Sequence, residues 1–124
     1  MSKESVLVID DSSDMLALER IILEGDGYEV FTAQSGALAI EMLEKIQEPT
    51  VVILDQQMED MSGTDFLDLL QTKYPDFSNN VPIIILSGGV PPSDSRAAGY
   101  IEKFPDIDVF LTKVRGFISN RTQH

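Results

Sequence analysis

The sequence lacks cysteine altogether, and its one histidine, His124, is the last residue. Disulfides, thiolate metal sites and cysteine nucleophiles are therefore excluded. A Ser-His-Asp triad or a zinc site built on histidines would need a histidine inside the fold, so neither is available. No apolar run approaches the ~20 residues of a membrane-spanning helix. The first residues also lack the basic and apolar stretches of a secretory signal, so we expect a cytoplasmic protein.

Basic residues are also few: 9 lysines and arginines stand against 21 aspartates and glutamates, which gives a formal net charge of −12. Such a chain repels phosphate backbones and anionic lipid surfaces, so we expect neither direct nucleic-acid binding nor membrane binding. The 124 residues contain no repeat, low-complexity segment or linker. We expect a single domain over residues 1–124, with an ordered core from about residue 4 to about residue 120.

Short aliphatic runs between polar clusters are the clearest local pattern. Runs of this length that are rich in β-branched residues predict strands buried on both faces, as in a parallel sheet covered by helices. Two more mixed segments suit the edges of such a sheet. The buried strands are predicted at residues 6–9, 51–54 and 83–86, and the edge strands at residues 28–32 and 100–102.

Apolar residues at helical spacing fill the intervals between these strands. Ser12 or Ser13 can cap a first helix that ends near Gly25 or Gly27. Further helices are predicted from residue 36 to about residue 46, from residue 63 to just before residue 75, and from residue 106 to residue 119. The alternation of strands and helices predicts right-handed βαβ units and a doubly wound α/β sheet.

Each buried strand runs directly into polar residues. Asp10 and Asp11 follow the first, Asp55 the second and Ser87 the third, while Lys103 follows the short last strand. Because parallel strands bring their carboxyl ends to one edge of a sheet, these side chains are expected to meet in a small cleft. Three adjacent carboxylates cannot all stay ionised without compensation. An all-oxygen site of this kind suits Mg²⁺.

The same cleft fits phosphoryl transfer. With the metal ion bound, one carboxylate is left to attack phosphorus. Lys103, the Ser87 hydroxyl and backbone N–H groups near Gly88 can then stabilise the equatorial oxygens. Each residue alone also has a plainer interpretation: Asp11 can belong to a helix cap, Asp55 can open a turn, and Lys103 can be a solvated surface residue. Their joint placement at the ends of four strands favours a shared site.

These residues and their spacing resemble the receiver domain of two-component response regulators, over nearly the whole chain from Glu4 to Asn120. The resemblance implies a flavodoxin-like, five-stranded parallel sheet of strand order 2-1-3-4-5 with helices on both faces. The matching motifs are Asp10-Asp11 after the first strand, Asp55 followed by Met58 and Met61-Ser62-Gly63, then Ser87, Tyr100 and Lys103.

The resemblance also implies the signalling role. Asp55 would accept the phosphoryl group from a sensor histidine kinase or a histidine phosphotransfer protein, with Lys103 and Ser87 at the phosphoryl oxygens. Ser87 and Tyr100 would switch a surface that binds a downstream protein, in a monomer or a phosphorylation-linked dimer. Such a domain is not an enzyme beyond an intrinsic autodephosphorylation.

A metal site is implied in the same way. Mg²⁺, with Mn²⁺ as an alternative, would be bound by Asp10, Asp11, Asp55 and the backbone carbonyl of Gln57. The side chain of Gln57 has two interpretations that the sequence does not separate. Its amide either orients a water molecule for attack on the phosphoaspartate or is simply solvated.

The sequence departs from the family pattern at three places. Glu59 and Phe104 stand where the family commonly has proline, and we expect a trans peptide bond or a shifted loop at Phe104. The third departure is the segment 90–98, which is too short and too rich in proline for the helix that the family has between its fourth and fifth strands. We expect that helix to be short or missing, which would alter the usual partner surface.

Three functions other than that of a phosphoacceptor receiver domain are open to a chain with this pattern. A degenerate receiver would bind partners without phosphorylation, although the complete set of site residues argues against it. A Mg²⁺-dependent phosphohydrolase of the haloacid dehalogenase type would carry Asp-x-Asp at the first strand, where this chain has Ser12 in the second position. A flavodoxin-like flavin carrier would need a phosphate loop where Asp10 and Asp11 would repel the phosphate. The domain is either a whole protein or part of a longer regulator or hybrid kinase.

Overall fold

A parallel sheet forms the centre of the molecule in a computed structural model, which describes residues 4–88, 94, 96–103 and 106–122, without the side chains of residues 120–122. Its strands are β1 (Ser5–Ile9), β2 (Glu29–Ala33), β3 (Val51–Asp55), β4 (Ile83–Ser87) and β5 (Gly99–Glu102). They lie in the order β2-β1-β3-β4-β5, and all neighbours are parallel. The predicted sheet and strand order are confirmed, and the two mixed segments are its edges.

Helices connect the strands: α1 (Ser13–Gly25), α2 (Gly36–Leu43), α3 (Gly63–Lys73), α4 (Pro75–Asn80) and α5 (Ile107–Thr122). Serine side chains cap three of them, because the hydroxyls of Ser12, Ser35 and Ser62 accept N–H groups from the first helical turn. Gly27 adopts a φ of 95°, which lets the chain turn from α1 into β2. Among the described residues, no helix has both the length and the apolar character needed to span a membrane.

The helices differ from the sequence prediction in three details. The helix α2 ends at Leu43 rather than near residue 46, because the N–H groups of Glu44 and Lys45 turn back to carbonyls three residues earlier. The short helix α4, which begins with Pro75 at its first turn, was not predicted. The last helix, α5, extends to Thr122, three residues beyond its predicted end.

Each face of the sheet is covered by a separate apolar core. One face packs against α1 and α5, and the other packs against α2 and α3. Because alternate residues of a strand point to opposite faces, Val6 and Val8 of β1 lie in the first core while Leu7 and Ile9 lie in the second. The central strands β1, β3 and β4 are buried on both faces except at Ser5, as their continuous aliphatic sequences predict.

The connection between β4 and β5 is held against α3 by Arg96. Its guanidinium pairs with the Asp94 carboxylate, with 2.7 Å between Nη2 and Oδ2, and also contacts Asp68 and Gln71 of α3. The described residues of this connection, 88, 94 and 96–98, contain no helix. The rest of the connection, and the peptide bond at Phe104, lie outside the described residues.

Gly99 at the start of β5 provides a test of how closely α5 packs on the sheet. A Cβ atom at Gly99 would lie 2.2 Å from Cζ of Phe117, so the ring would have to move. We expect Gly99→Ala to lower the free energy of unfolding by about 1–3 kcal/mol, as overpacking does. Gly116→Ala is the matched control, because a Cβ there meets no atom within 4 Å. In a helix interior it should instead stabilise by ~0.5–1 kcal/mol. Urea unfolding of both variants measures the contrast, and equal effects would contradict the packing described.

Candidate functional site

Four strands end at or next to polar residues that lie along the same edge of the sheet. Asp10 follows β1, Asp55 is the last residue of β3, Ser87 is the last residue of β4, and Lys103 follows β5. Asp10, Asp55 and Ser87 are all buried. Their position follows from the parallel topology, since all five strands end at this edge.

Three carboxylates form the centre of the site. Oxygen atoms of Asp10, Asp11 and Asp55 lie within 4.8 Å of one another. Asp10 and Asp55 are each 1% exposed, and Asp11 is partly exposed. The sequence therefore predicted correctly that these three side chains come together.

Backbone N–H groups fix the orientation of each carboxylate. The N–H of Ser12 donates to Oδ1 of Asp10 at 2.9 Å, and the N–H of Gln57 donates to Oδ1 of Asp55 at 3.3 Å. The N–H of Glu59 donates to Oδ2 of Asp11 at 3.0 Å and so ties the loop after β3 to the end of β1. Such bonds preorganise the carboxylates before any ligand arrives.

Lys103 brings the one cation that contacts these carboxylates among the described residues. Its Nζ lies 2.9 Å from Oδ1 and 3.0 Å from Oδ2 of Asp55. Its backbone N–H donates to the carbonyl of Ser87 at 2.8 Å, which fixes the start of the side chain beside β4. A Cβ at Gly88 would lie 3.8 Å from Cδ of Lys103, so the aliphatic part of the lysine passes over that residue.

The charges in the site do not balance. Burial raises the pKa of Asp10, and the neighbouring charge of Asp55 adds to this, against the opposing N–H of Ser12 and the ammonium of Lys103. Burial opposes the charge of Lys103, yet its hydrogen bond to Asp55 and the carboxylates nearby raise its pKa. Oδ2 of Asp10 is buried and has no hydrogen-bond partner among the described residues. An unpaired anionic oxygen beside two other carboxylates is what a hard divalent cation binds.

The other two predicted site residues are Gln57 and Tyr100. The side chain of Gln57 is exposed, and its backbone takes part in a bridge with Ser62 that closes the loop after β3. Tyr100 is partly buried on the α3 side of the sheet. Its hydroxyl accepts the N–H of Asp94 at 3.0 Å and donates to the Asp94 carbonyl at 3.3 Å. The hydrogen bonds of the Tyr100 hydroxyl therefore go to the β4–β5 connection.

The sequence analysis did not predict one buried charged residue near the site. Glu19 lies on the inward face of α1, between Leu16 and Leu23, and is 4% exposed. Burial raises the pKa of Glu19 to about 8, and the charges of Asp10 and Asp55 add to the increase while Lys103 opposes it. The sequence did contain a signal for this burial. Residues 16, 19 and 23 lie on one face of the helix, and the leucines at 16 and 23 predict that the residue at 19 also points into the core.

Comparisons with known proteins agree with this fold. The sequence profile of the response regulator receiver domain matches residues 6–115. The chain is 37% identical, over an alignment of 123 residues, to the transcriptional regulatory protein KdpE of Mycobacterium tuberculosis, covering 94% of this chain and 52% of KdpE. It is 29% identical over 119 residues to the CAI-1 autoinducer sensor kinase/phosphatase CqsS of Vibrio cholerae, covering 91% of this chain and 17% of CqsS. The chain thus spans about half the length of KdpE.

Solved structures of response regulators have the same fold. The response regulator TrrA of Thermotoga maritima, in complex with Mg²⁺-BeF, is 27% identical with a TM-score of 0.79, covering 92% of this chain and 98% of that one. A receiver domain protein of Methanospirillum hungatei is 23% identical with a TM-score of 0.86, covering 99% of this chain and 100% of that one, and shows the shared fold. The profile match extends over most of the sequence, and the chain therefore belongs to the response regulator receiver domain family.

Proposed function

We propose that this receiver domain takes a phosphoryl group onto Asp55 from a sensor histidine kinase or a histidine phosphotransfer protein, with Mg²⁺ at the neighbouring carboxylates. The observation that carries the proposal is the buried Asp55 carboxylate, which lies with two other carboxylates and pairs with Lys103. A purely structural ion pair would need only one carboxylate. The excess negative charge favours a function that brings positive charge to the site.

Asp10, Asp11 and Asp55 would hold the metal ion, together with the backbone carbonyl of Gln57. The donor set fits Mg²⁺, because it consists of oxygen atoms and includes the buried, unpartnered Oδ2 of Asp10. Mn²⁺ accepts the same oxygen ligands and would serve as an alternative. When bound, the ion neutralises charge and orients the phosphoryl oxygens.

The residues of the chain itself would then carry the transfer. An oxygen of Asp55 forms a bond to phosphorus while the P–N bond to the donor histidine breaks, and the electron pair leaves with the imidazole. The Lys103 ammonium would then pair with one phosphoryl oxygen, and the Ser87 hydroxyl would donate to another. Water later hydrolyses the acyl phosphate, so the domain stores a phosphoryl group and does not turn over a separate substrate.

The output would be a change in a protein-binding surface. We assign the switch to Ser87 and Tyr100, because Ser87 ends β4 at the site and Tyr100 hydrogen-bonds the backbone of Asp94 in the connection that follows. Movement of the tyrosine would break these bonds and loosen the connection from α3, where Arg96 holds it. A downstream cytoplasmic protein, or a second phosphorylated copy of the chain, would bind the altered surface.

Beryllofluoride, which mimics a phosphoryl group on a carboxylate, provides the test. We expect it to bind the wild-type protein only when Mg²⁺ is present. It should shift the backbone NMR signals of Asp55, Ser87 and Tyr100, the last reporting the switch. Binding of beryllofluoride without any shift at Tyr100 would contradict the switch. No binding at saturating Mg²⁺ would contradict the phosphoacceptor function and favour a receiver that docks partners without phosphorylation.

A further inference from the structure

Glu19 and Lys103 line the same small cavity between α1, α5 and β4, about 80 Å³ in volume. The other walls are apolar and consist of Met15, Leu18 and Ile22 of α1, Leu86 of β4, and Ile107 and Phe110 of α5. Glu19 is 4% exposed, and its Oε2 has no hydrogen-bond partner among the described residues. A carboxyl oxygen that is buried without a partner is costly, and a state in which it is paired would remove that cost.

We propose that Glu19 is a positioning residue for Lys103: when a divalent cation takes the oxygens of Asp55, the Lys103 ammonium turns into this cavity and pairs with the Glu19 carboxylate. The inference rests on the proposed function, because it concerns the metal-loaded form of the same site. It assigns the partner that the lysine uses before the phosphoryl group arrives.

Charge repulsion gives the reason for the movement. Without a metal ion, Lys103 pairs with both oxygens of Asp55 at 2.9 and 3.0 Å. A divalent cation on those oxygens would lie a few ångströms from the ammonium, and two positive charges at that distance repel strongly in a buried site. The lysine must then leave Asp55, and it needs another anion because an unpaired buried ammonium is unfavourable.

The cavity offers that anion and the room to reach it. Its volume of about 80 Å³ is enough for about two water molecules, at ~30 Å³ each, or for the end of a lysine side chain. Among the residues that line the cavity, Glu19 and Lys103 are the two charged ones, and apolar walls strengthen the attraction between them. Asp10 and Asp55 are the other charged groups that act on Glu19, and in the loaded form both would be engaged by the metal ion.

The test is a Mg²⁺ titration of wild type, Glu19→Gln and the control Glu24→Gln at a fixed pH of 8 and constant ionic strength. Glu24 lies on the same helix and is half exposed, so its replacement makes the same change from carboxyl to amide without touching the cavity. We expect Glu19→Gln to weaken Mg²⁺ binding roughly threefold to tenfold, because the displaced ammonium then lacks a charged partner. Glu24→Gln should stay close to wild type.

A second readout follows the lysine directly. In wild type, Mg²⁺ should shift the NMR signal of the Lys103 ¹³Cε atom as the ammonium changes partner, and this shift should be lost or reversed in Glu19→Gln. Glu19→Met makes the inward face of α1 fully apolar and should behave like Glu19→Gln. If one of the two variants fails to fold, the other still tests the role of Glu19.

The outcomes separate the two proposals. Equal Mg²⁺ affinities for both glutamine variants, with the wild-type shift of Lys103 retained, would overturn the role of Glu19 while the phosphoacceptor function stands. Failure of wild type itself to bind Mg²⁺ through Asp55 would overturn both.

Discussion

Asp55→Asn is expected to abolish phosphoryl incorporation from a small acyl phosphate donor or a histidine phosphotransfer protein. The amide keeps the shape of the side chain but has no anionic oxygen to attack phosphorus, and an amide oxygen is a weaker metal ligand. We expect the neighbouring carboxylates not to replace it. Asp10 accepts the N–H of Ser12, and Asp11 accepts the N–H of Glu59, so both are oriented by other loops. The expected result is complete loss of acid-stable, base-labile phosphate on the protein.

Asp76→Asn is the matched control for this experiment. Asp76 is exposed at the start of α4 and lies outside the site, so its replacement removes the same charge without altering the carboxylate cluster. Its phosphoryl incorporation should equal that of wild type. Residual incorporation in Asp55→Asn above a few per cent of wild type would mean that another side chain accepts the phosphoryl group.

Glu19→Gln is expected to remove a large pH dependence from the stability of the protein. The pKa of Glu19 rises from 4.5 in the unfolded chain to about 8 in the fold, where burial and the charges of Asp10 and Asp55 disfavour the carboxylate. Between these values the folded state holds a proton that the unfolded chain has lost, so the free energy of unfolding falls as the pH rises. The loss amounts to roughly 3–5 kcal/mol between pH 4.5 and pH 8.

Urea unfolding at pH 5, 6.5 and 8 measures this effect. At pH 5 the two proteins should have similar free energies of unfolding, and at pH 8 Glu19→Gln should be the more stable by a few kcal/mol. Asp10, whose pKa burial also raises, is present in both proteins and largely cancels in the difference. Glu24→Gln should follow wild type across the range. Parallel curves for wild type and Glu19→Gln would contradict the raised pKa.

The fold was predictable because its signals are local. Continuous aliphatic strands indicate a sheet covered on both faces. The structure confirms the predicted cap at Ser12 and the predicted helix starts at residues 36 and 63. The placement of the carboxylate cluster follows from topology alone, since parallel strands all end at one edge. The roles of the individual site residues stay predictions that the experiments above test.

Several features that the sequence analysis did not predict depend on contacts between residues far apart in the chain. The pairing of Lys103 with Asp55 joins residues 48 positions apart, and the backbone N–H of the lysine is held by the carbonyl of Ser87 on β4. Glu19 was overlooked because a single charged residue in a helix is normally on the solvent side. The short helix α4 was not predicted because six residues give too few periods for a helical pattern.

The strand order has a consequence for the protein during its synthesis. The site needs Asp10 from the beginning of the sequence and Lys103, which follows the edge strand β5. A chain that has emerged from the ribosome only as far as β4 contains the three aspartates of the site but not the lysine that pairs with Asp55. Parallel strands pair late because their contacts are distant along the chain. The three carboxylates and the ammonium that pairs with Asp55 are therefore brought together only when the last strand joins the sheet.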